Sequence, residues 1–180
     1  MASLIAKSAT DGLLPLSIGT LTLRDATPAR LSAIAPFVGQ DKAVDTALRA
    51  LGLGWPGPDR AMVADAAACL WSGRGQAFVV NADVSALTGA AVTDIGDGWV
   101  GLGLDGAGAA EALARLIPLD LGAKAFPVGA SARSGLGHMM VLIHRSAAAA
   151  FTLYVFRSMA ATAVHEIETA MKALAARASV

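Results

Sequence analysis

Apolar residues recur along this chain with two periods, one of strands and one of helices. Leu16, Ile18, Leu21 and Leu23 mark an extended segment broken by Gly19, and Ala33–Val38 is a second short strand. Ala43, Val44, Ala47, Leu48 and Leu51 then recur at helical spacing behind Asp41, which reads as the N-cap. Gly52 and Gly54 stop that helix. Met62–Trp71 reads as one strand, Ser72-Gly-Arg-Gly75 as a hairpin turn and Gln76–Asn81 as the returning strand.

The second half follows the same order. Ala90–Ile95 and Trp99–Leu104 are strands separated by Gly96-Asp-Gly98. A helix runs from about Ala107 to Leu116 with Ala110, Leu113, Leu116 and Ile117 on one face, and Pro118 ends it. Strands are expected near Ser131–Ser134, His138–Arg145 and Ala150–Arg157. Ser158 reads as the cap of a last helix whose stripe is Val164, Ile167, Met171 and Leu174, with Glu168 and Lys172 paired on its other face. The pattern predicts an α+β fold of two related β-β-α-β halves, 15–81 and 90–178. They form mainly antiparallel sheets with helices packed on them, in a single domain over 15–180 behind a loose lead-in at 1–14.

Two strands break the simple alternation. In His138–His144, one face carries Met139, Val141 and Ile143, and the other His138, Met140, Leu142 and His144. Phe151–Phe156 is likewise apolar on both sides. An antiparallel sheet with one wet face would show polar residues on that face. Either helices of this chain cover both faces or a partner covers one. The partner reading makes Arg133, His138, Met140, Leu142, His144, Tyr154 and Phe156 the candidate interface.

Composition sharpens this. Charged residues make up 16% of the 180 residues, against a typical share of about 25%. So low a charge density suggests that a partner covers some surface. Net charge is zero, so no broad basic field points to nucleic acid. One cysteine, Cys69, rules out an internal disulfide and suits a reducing compartment. No apolar run reaches a membrane span, and the first residues lack a signal-peptide pattern. The expectation is a cytoplasmic protein without membrane or nucleic-acid partners.

Candidate chemistry is sparse. Gly101-Leu-Gly-Leu-Asp-Gly106 spells a dinucleotide fingerprint, but Val100, Leu102 and Leu104 alternate through it as in a strand, and no βαβ context precedes it. His138 and His144 are six positions apart on one strand, too far to share a metal ion directly. Cys69 reads as a packed, inert thiol. Arg133, Arg145 and Arg157 lie at strand ends around one sheet edge. They read as solvated or partner-facing, with an anion such as a folate carboxylate as the alternative. Asp120 reads as a helix-ending turn. These readings leave catalytic, cofactor and metal residues at none.

Several motifs nevertheless resemble one family. Leu113-x-x-Leu116-Ile-Pro-Leu-Asp120-Leu, Phe126-Pro-x-Gly129, Ala132-Arg-Ser-x-Leu136 and Phe156-Arg-Ser-Met-Ala160 before an amphipathic helix look like the gamma subunit of heterotetrameric sarcosine oxidase. Cys69-Leu-Trp71 is similar to that family's middle segment. The match spans roughly residues 60–172, and the first 60 residues follow it only in element order. The resemblance implies a fold related to the folate-binding domain of the glycine-cleavage T-protein. It implies a non-catalytic subunit without its own cofactor, held by alpha, beta and delta partners. FAD, FMN, NAD, tetrahydrofolate and zinc would sit on those partners. Ser72-Gly-Arg-Gly-Gln-Ala-Phe78 departs from the family's acidic-aromatic pattern. A gamma-type subunit of a related N-methyl amino acid dehydrogenase therefore stays open, as do a stand-alone folate-binding aminomethyltransferase-like protein and a free-standing interaction protein.

Overall fold

A computed structural model describes residue 5 and residues 7–178. Residues 1–4 and 6 of the expected lead-in, and 179–180, lie outside the described residues. The strands are β1 Leu16–Ile18, β2 Leu21–Asp25, β3 Leu31–Pro36, β4 Ala61–Ala64, β5 Ala67–Gly73, β6 Gln76–Val80, β7 Ala90–Asp94, β8 Trp99–Asp105, β9 Ser131–Leu136, β10 Met139–Ala147 and β11 Ala150–Phe156. The helices are α1 Asp41–Ala50, α2 Ala109–Leu113 and α3 Ala160–Ala178.

The strands form two antiparallel sheets, in the orders β1-β2-β8-β11-β10-β9 and β4-β5-β6-β3-β7. The α+β class and the two sheets follow the hydrophobic pattern, but the halves exchange strands. β1 and β2 of the first half join the larger sheet, and β7 of the second half joins the smaller one. Three apolar clusters order the layers. Leu102, Leu104, Val141, Ile143, Leu153 and Val155 of the larger sheet pack under Leu113 of α2 and Ile167 and Met171 of α3. Ile34, Cys69, Ala77 and Val79 of the smaller sheet pack under Val44 and Leu48 of α1. Between the sheets, Leu31, Leu70, Phe78 and Val80 meet Trp99, Leu142 and Tyr154. The stack is helix pair, sheet, sheet, helix.

This stack corrects the expectation for the doubly apolar strands. Helices cover one face of β10 and β11, and the second sheet of the same chain covers most of the other.

Local differences have local causes. The expected strand Met62–Trp71 is two strands, because Asp65 turns at φ +51° and folds β4 back on β5. Leu16–Leu23 is likewise a hairpin, with Gly19 at φ +58°. Gln40 takes the N-cap place of α1 without a side-chain cap bond, and Asp41 opens the first turn. α2 is only five residues long. Ser158 lies in a 3-10 turn, Arg157–Met159, that leads into α3. The stripe of α3 is as expected, and Lys172 Nζ meets Glu168 at 2.7 Å. Within the expected lead-in, Ser8 and Thr10 donate to the Asp25 carboxylate, and Thr10 is buried. Burial pushes the Asp25 pKa up, but hydrogen bonds from Ser8, Thr10 and Thr27 outweigh it and hold it at about 2.

Candidate functional site

Strand register decides which candidate residues meet. Gly135 pairs with Met140, and Phe156 pairs with Trp99. Extending the β10–β11 register past Val141–Val155 sets Met140 opposite Phe156. Gly135, Met140, Phe156 and Trp99 thus form one row across four strands, on the face that turns toward the smaller sheet. That sheet does not reach the whole row: Trp99 is 7% exposed, but Met140 is 46% and Phe156 42% exposed. Arg133, one step along β9 and opposite Leu142, is exposed on the same face. His138 is exposed in the turn between β9 and β10, before the strand in which it was expected. Met159, just past Phe156, is exposed too. The result is an apolar rim with Arg133 and His138 beside it.

The other three candidates are corrected. Leu142, His144 and Tyr154 are buried inside the chain, Leu142 and Tyr154 under the smaller sheet and His144 against the Ala130 carbonyl, and they offer a partner no surface. His144 Nδ1 lies 3.0 Å from the Ala130 carbonyl. Desolvation lowers the His144 pKa below its ordinary value, partly opposed by that bond. Burial pushes the Tyr154 hydroxyl up to about 12.

The three arginines do not converge. Arg145 is buried, and its guanidinium donates to the carbonyls of Leu121, Phe126, Ala147 and Ala148 while lying 5.1 Å over the Phe151 ring. It organises the 121–130 loop from inside the chain. Arg157 is exposed and donates to the Lys7 carbonyl at 2.7 Å. Of these three arginines, only Arg133 has a side chain without hydrogen bond or ion pair to the described residues. Sequence reasoning missed the Arg145 clamp. Its one signal is an arginine at the end of a strand apolar on both faces.

The glycine fingerprint is a strand, as its alternation indicates. β8 carries it up to Asp105, with Gly106 just past the strand end, and the glycines face the β2 side of the sheet. A Cβ on Gly101 would stand 2.3 Å from the Ala26 carbonyl oxygen, and one on Gly106 2.0 Å from that of Thr20. A nucleotide loop would instead leave these positions open to a phosphate.

Recesses also occur elsewhere on the surface. A recess of about 560 Å³ lies beside Arg30, Ser32, Asp83, Ser85 and Asp94. Asp83 is held at about 2 by hydrogen bonds from Ser85 and by its contact with Arg30. A second recess, about 670 Å³, adjoins Phe156 and is lined by Ala9, Gly98, Arg157 and Ser158. No group of three His, Cys, Asp or Glu side chains placed to hold a metal occurs among the described residues. Cys69 is buried, with its thiol pushed up to about 12 by desolvation. Asp120 Oδ1 accepts the Gly122 N–H at 2.9 Å, which is its turn role. No helix is long and apolar enough to cross a membrane among the described residues.

Fold and site together define an α+β chain of two stacked antiparallel sheets with an apolar rim at Met140 and Phe156. No protein-family model matches the chain, and no curated protein matches it. Among solved structures it is similar to a chain of heterotetrameric sarcosine oxidase from Corynebacterium sp. U-96, solved in complex with pyrrole 2-carboxylate. The identity is 20%, with TM-score 0.82 over 94% of this chain and 96% of that one. The two share a fold. Aspartate kinase from Clostridium acetobutylicum aligns at 13% identity and TM-score 0.40, over 89% of this chain and 37% of that chain.

Proposed function

We propose that this chain is a non-catalytic, gamma-type subunit of a sarcosine-oxidase-like complex that oxidatively demethylates an N-methyl amino acid in the cytoplasm. The observation that supports this most is the end-to-end likeness, 94% of one chain and 96% of the other, to a chain of a heterotetrameric oxidase. Agreement over whole chains is what a shared subunit gives, whereas a shared module inside a larger enzyme would cover only part of one of them. The motif resemblance at Leu113–Leu121, Phe126–Gly129 and Phe156–Ala160 points the same way. The rim supplies a docking surface of fitting chemistry. Methionine, phenylalanine and arginine are enriched where proteins meet, and Arg133, His138, Met140 and Phe156 form the proposed contact. In this reading alpha, beta and delta chains carry the FAD, FMN, NAD, tetrahydrofolate and zinc. This chain supplies shape and contacts.

The test is purification of the tagged chain from its own cells under native conditions, with a visible spectrum and a native mass. The expected result is a yellow complex much heavier than this chain, whose flavin bleaches anaerobically on adding sarcosine. Bleaching by another N-methyl amino acid instead would assign it to the dehydrogenase branch. A colourless chain of its own mass overturns the reading.

A further inference from the structure

β9 is an outer strand of the larger sheet, and its outer edge is only partly used. In antiparallel pairing, alternate residues turn both backbone polar groups toward one neighbour. The Arg145 N–H bonds the Ala130 carbonyl, so Ala130, Ala132, Ser134 and Leu136 face β10. Ser131, Arg133, Gly135 and Gly137 therefore face outward. The Ser131 N–H reaches the Asp59 carbonyl at 3.1 Å, and the Gly137 N–H reaches that of Leu116 at 2.9 Å. Between these two bonds, the N–H and C=O groups of Arg133 and Gly135 have no backbone partner among the described residues.

Native sheets protect such edges with proline, a charged side chain or a covering element. β9 has no proline, and its one charge is Arg133, whose side chain is exposed and unpaired. Of the other outer strands, β1 and β4 carry no charge and the one charge of β7 is Asp94, which accepts the Gly96 N–H, so β9 alone among them offers a cation to an added segment. Beside the open edge, Gly135 has no side chain to shield Met140, its partner in register.

We propose that an extended segment of a partner subunit adds to the Arg133–Gly135 edge as a further strand of the larger sheet. The segment places a carboxylate against Arg133 and an apolar side chain over Gly135, against Met140. Residues on one strand face recur every second position, about 6.8 Å apart. The matching partner sequence is therefore an acidic and an apolar residue with one residue between them. This rests on the subunit reading above and adds to it which edge is used and which chemistry the partner brings.

Hydrogen–deuterium exchange on the purified flavin complex and on the isolated chain tests this. The amides of Arg133 and Gly135 slow by about a hundredfold or more in the complex, while Ala132 and Ser134, already bonded to β10, stay unchanged. Gly135→Pro removes an outward N–H, the place where an edge strand tolerates proline. It cuts co-purifying flavin about tenfold, with Tm of the isolated chain moving by less than about 4 °C. Arg133→Glu has the same effect, and Arg133→Lys keeps most of the flavin. If the complex forms but Arg133 and Gly135 exchange as fast as in the isolated chain, strand addition is overturned and the subunit reading stands. If the wild-type chain carries no flavin, the subunit reading fails, and this proposal with it. If instead the isolated chain doubles its mass with concentration and Gly135→Pro abolishes this, a second copy occupies the edge and the partner assignment is overturned.

Discussion

Trp99 and Phe156 face each other across the β8–β11 register, with ring centroids 4.5 Å apart and planes tilted by 42°. Phe78 meets Trp99 edge-on at 5.0 Å from the other sheet. Three rings thus run from the inter-sheet core to the surface. Their burial sets unequal roles. Trp99→Ala removes a buried side chain and is expected to cost about 3–5 kcal/mol. Phe156→Ala loses a ring contact already half in water, for about 0.5–1.5 kcal/mol. Urea unfolding of the isolated chain measures both. Equal losses would make Phe156 a core residue and remove it from the contact surface.

Arg145 is a buried cation whose side-chain hydrogen bonds all go to backbone carbonyls among the described residues. Removing it leaves buried acceptors unpaired, which costs more than the net worth of each bond. Arg145→Met is expected to destabilise the chain by about 2–4 kcal/mol. It should also open the 121–130 loop to trypsin at Lys124. Arg145→Lys recovers only part, since one ammonium cannot span carbonyls from both sides of the clamp. Unchanged cleavage at Lys124 would contradict the clamp.

His144 makes stability depend on pH. Its folded pKa lies below the ordinary value of about 6.5 because burial disfavours the charged ring. The unfolded chain therefore takes up the proton first as pH falls. The His144 contribution is fully present above about pH 6.5 and is lost as pH drops from there toward the folded pKa, by at most about 1.4 kcal/mol per pH unit. Chemical unfolding at pH 7.5, 6.5 and 5.5 follows this loss. His144→Gln flattens it, and an unchanged slope would assign the loss to another group.

Gly106 sits at φ +125°, where a Cβ would stand 2.0 Å from the Thr20 carbonyl oxygen. Gly106→Ala is expected to cost more than about 2 kcal/mol, combining backbone strain with a backbone clash. Gly129 also has positive φ, +82°, but open space around it. Gly129→Ala should cost only about 1 kcal/mol. Thermal unfolding of the two variants should show that order, and the reverse would mean that the β1–β2 turn does not press on Gly106.

Periodicity alone placed the strands near Ala90, Trp99, Ser131, His138 and Ala150 and the helices after Asp41 and Ser158, because side-chain alternation is a local property of the chain. It also separated the strand glycines of β8 from a nucleotide loop. Hairpin turns such as Asp65 escaped, since a non-glycine residue at positive φ leaves little trace in composition. The rim was half legible. Arg133, His138, Met140 and Phe156 are on the surface, His138 in a turn rather than in the strand expected for it, while Leu142, His144 and Tyr154 are buried. Residues on one strand face carry the same local signal whether solvent, a partner or a second sheet lies above them. Only the crossing of β1, β2 and β7 between sheets, made by pairings far apart in the chain, decided how far the smaller sheet extends. That limit leaves Met140 and Phe156 uncovered and buries Leu142 and Tyr154 beside them.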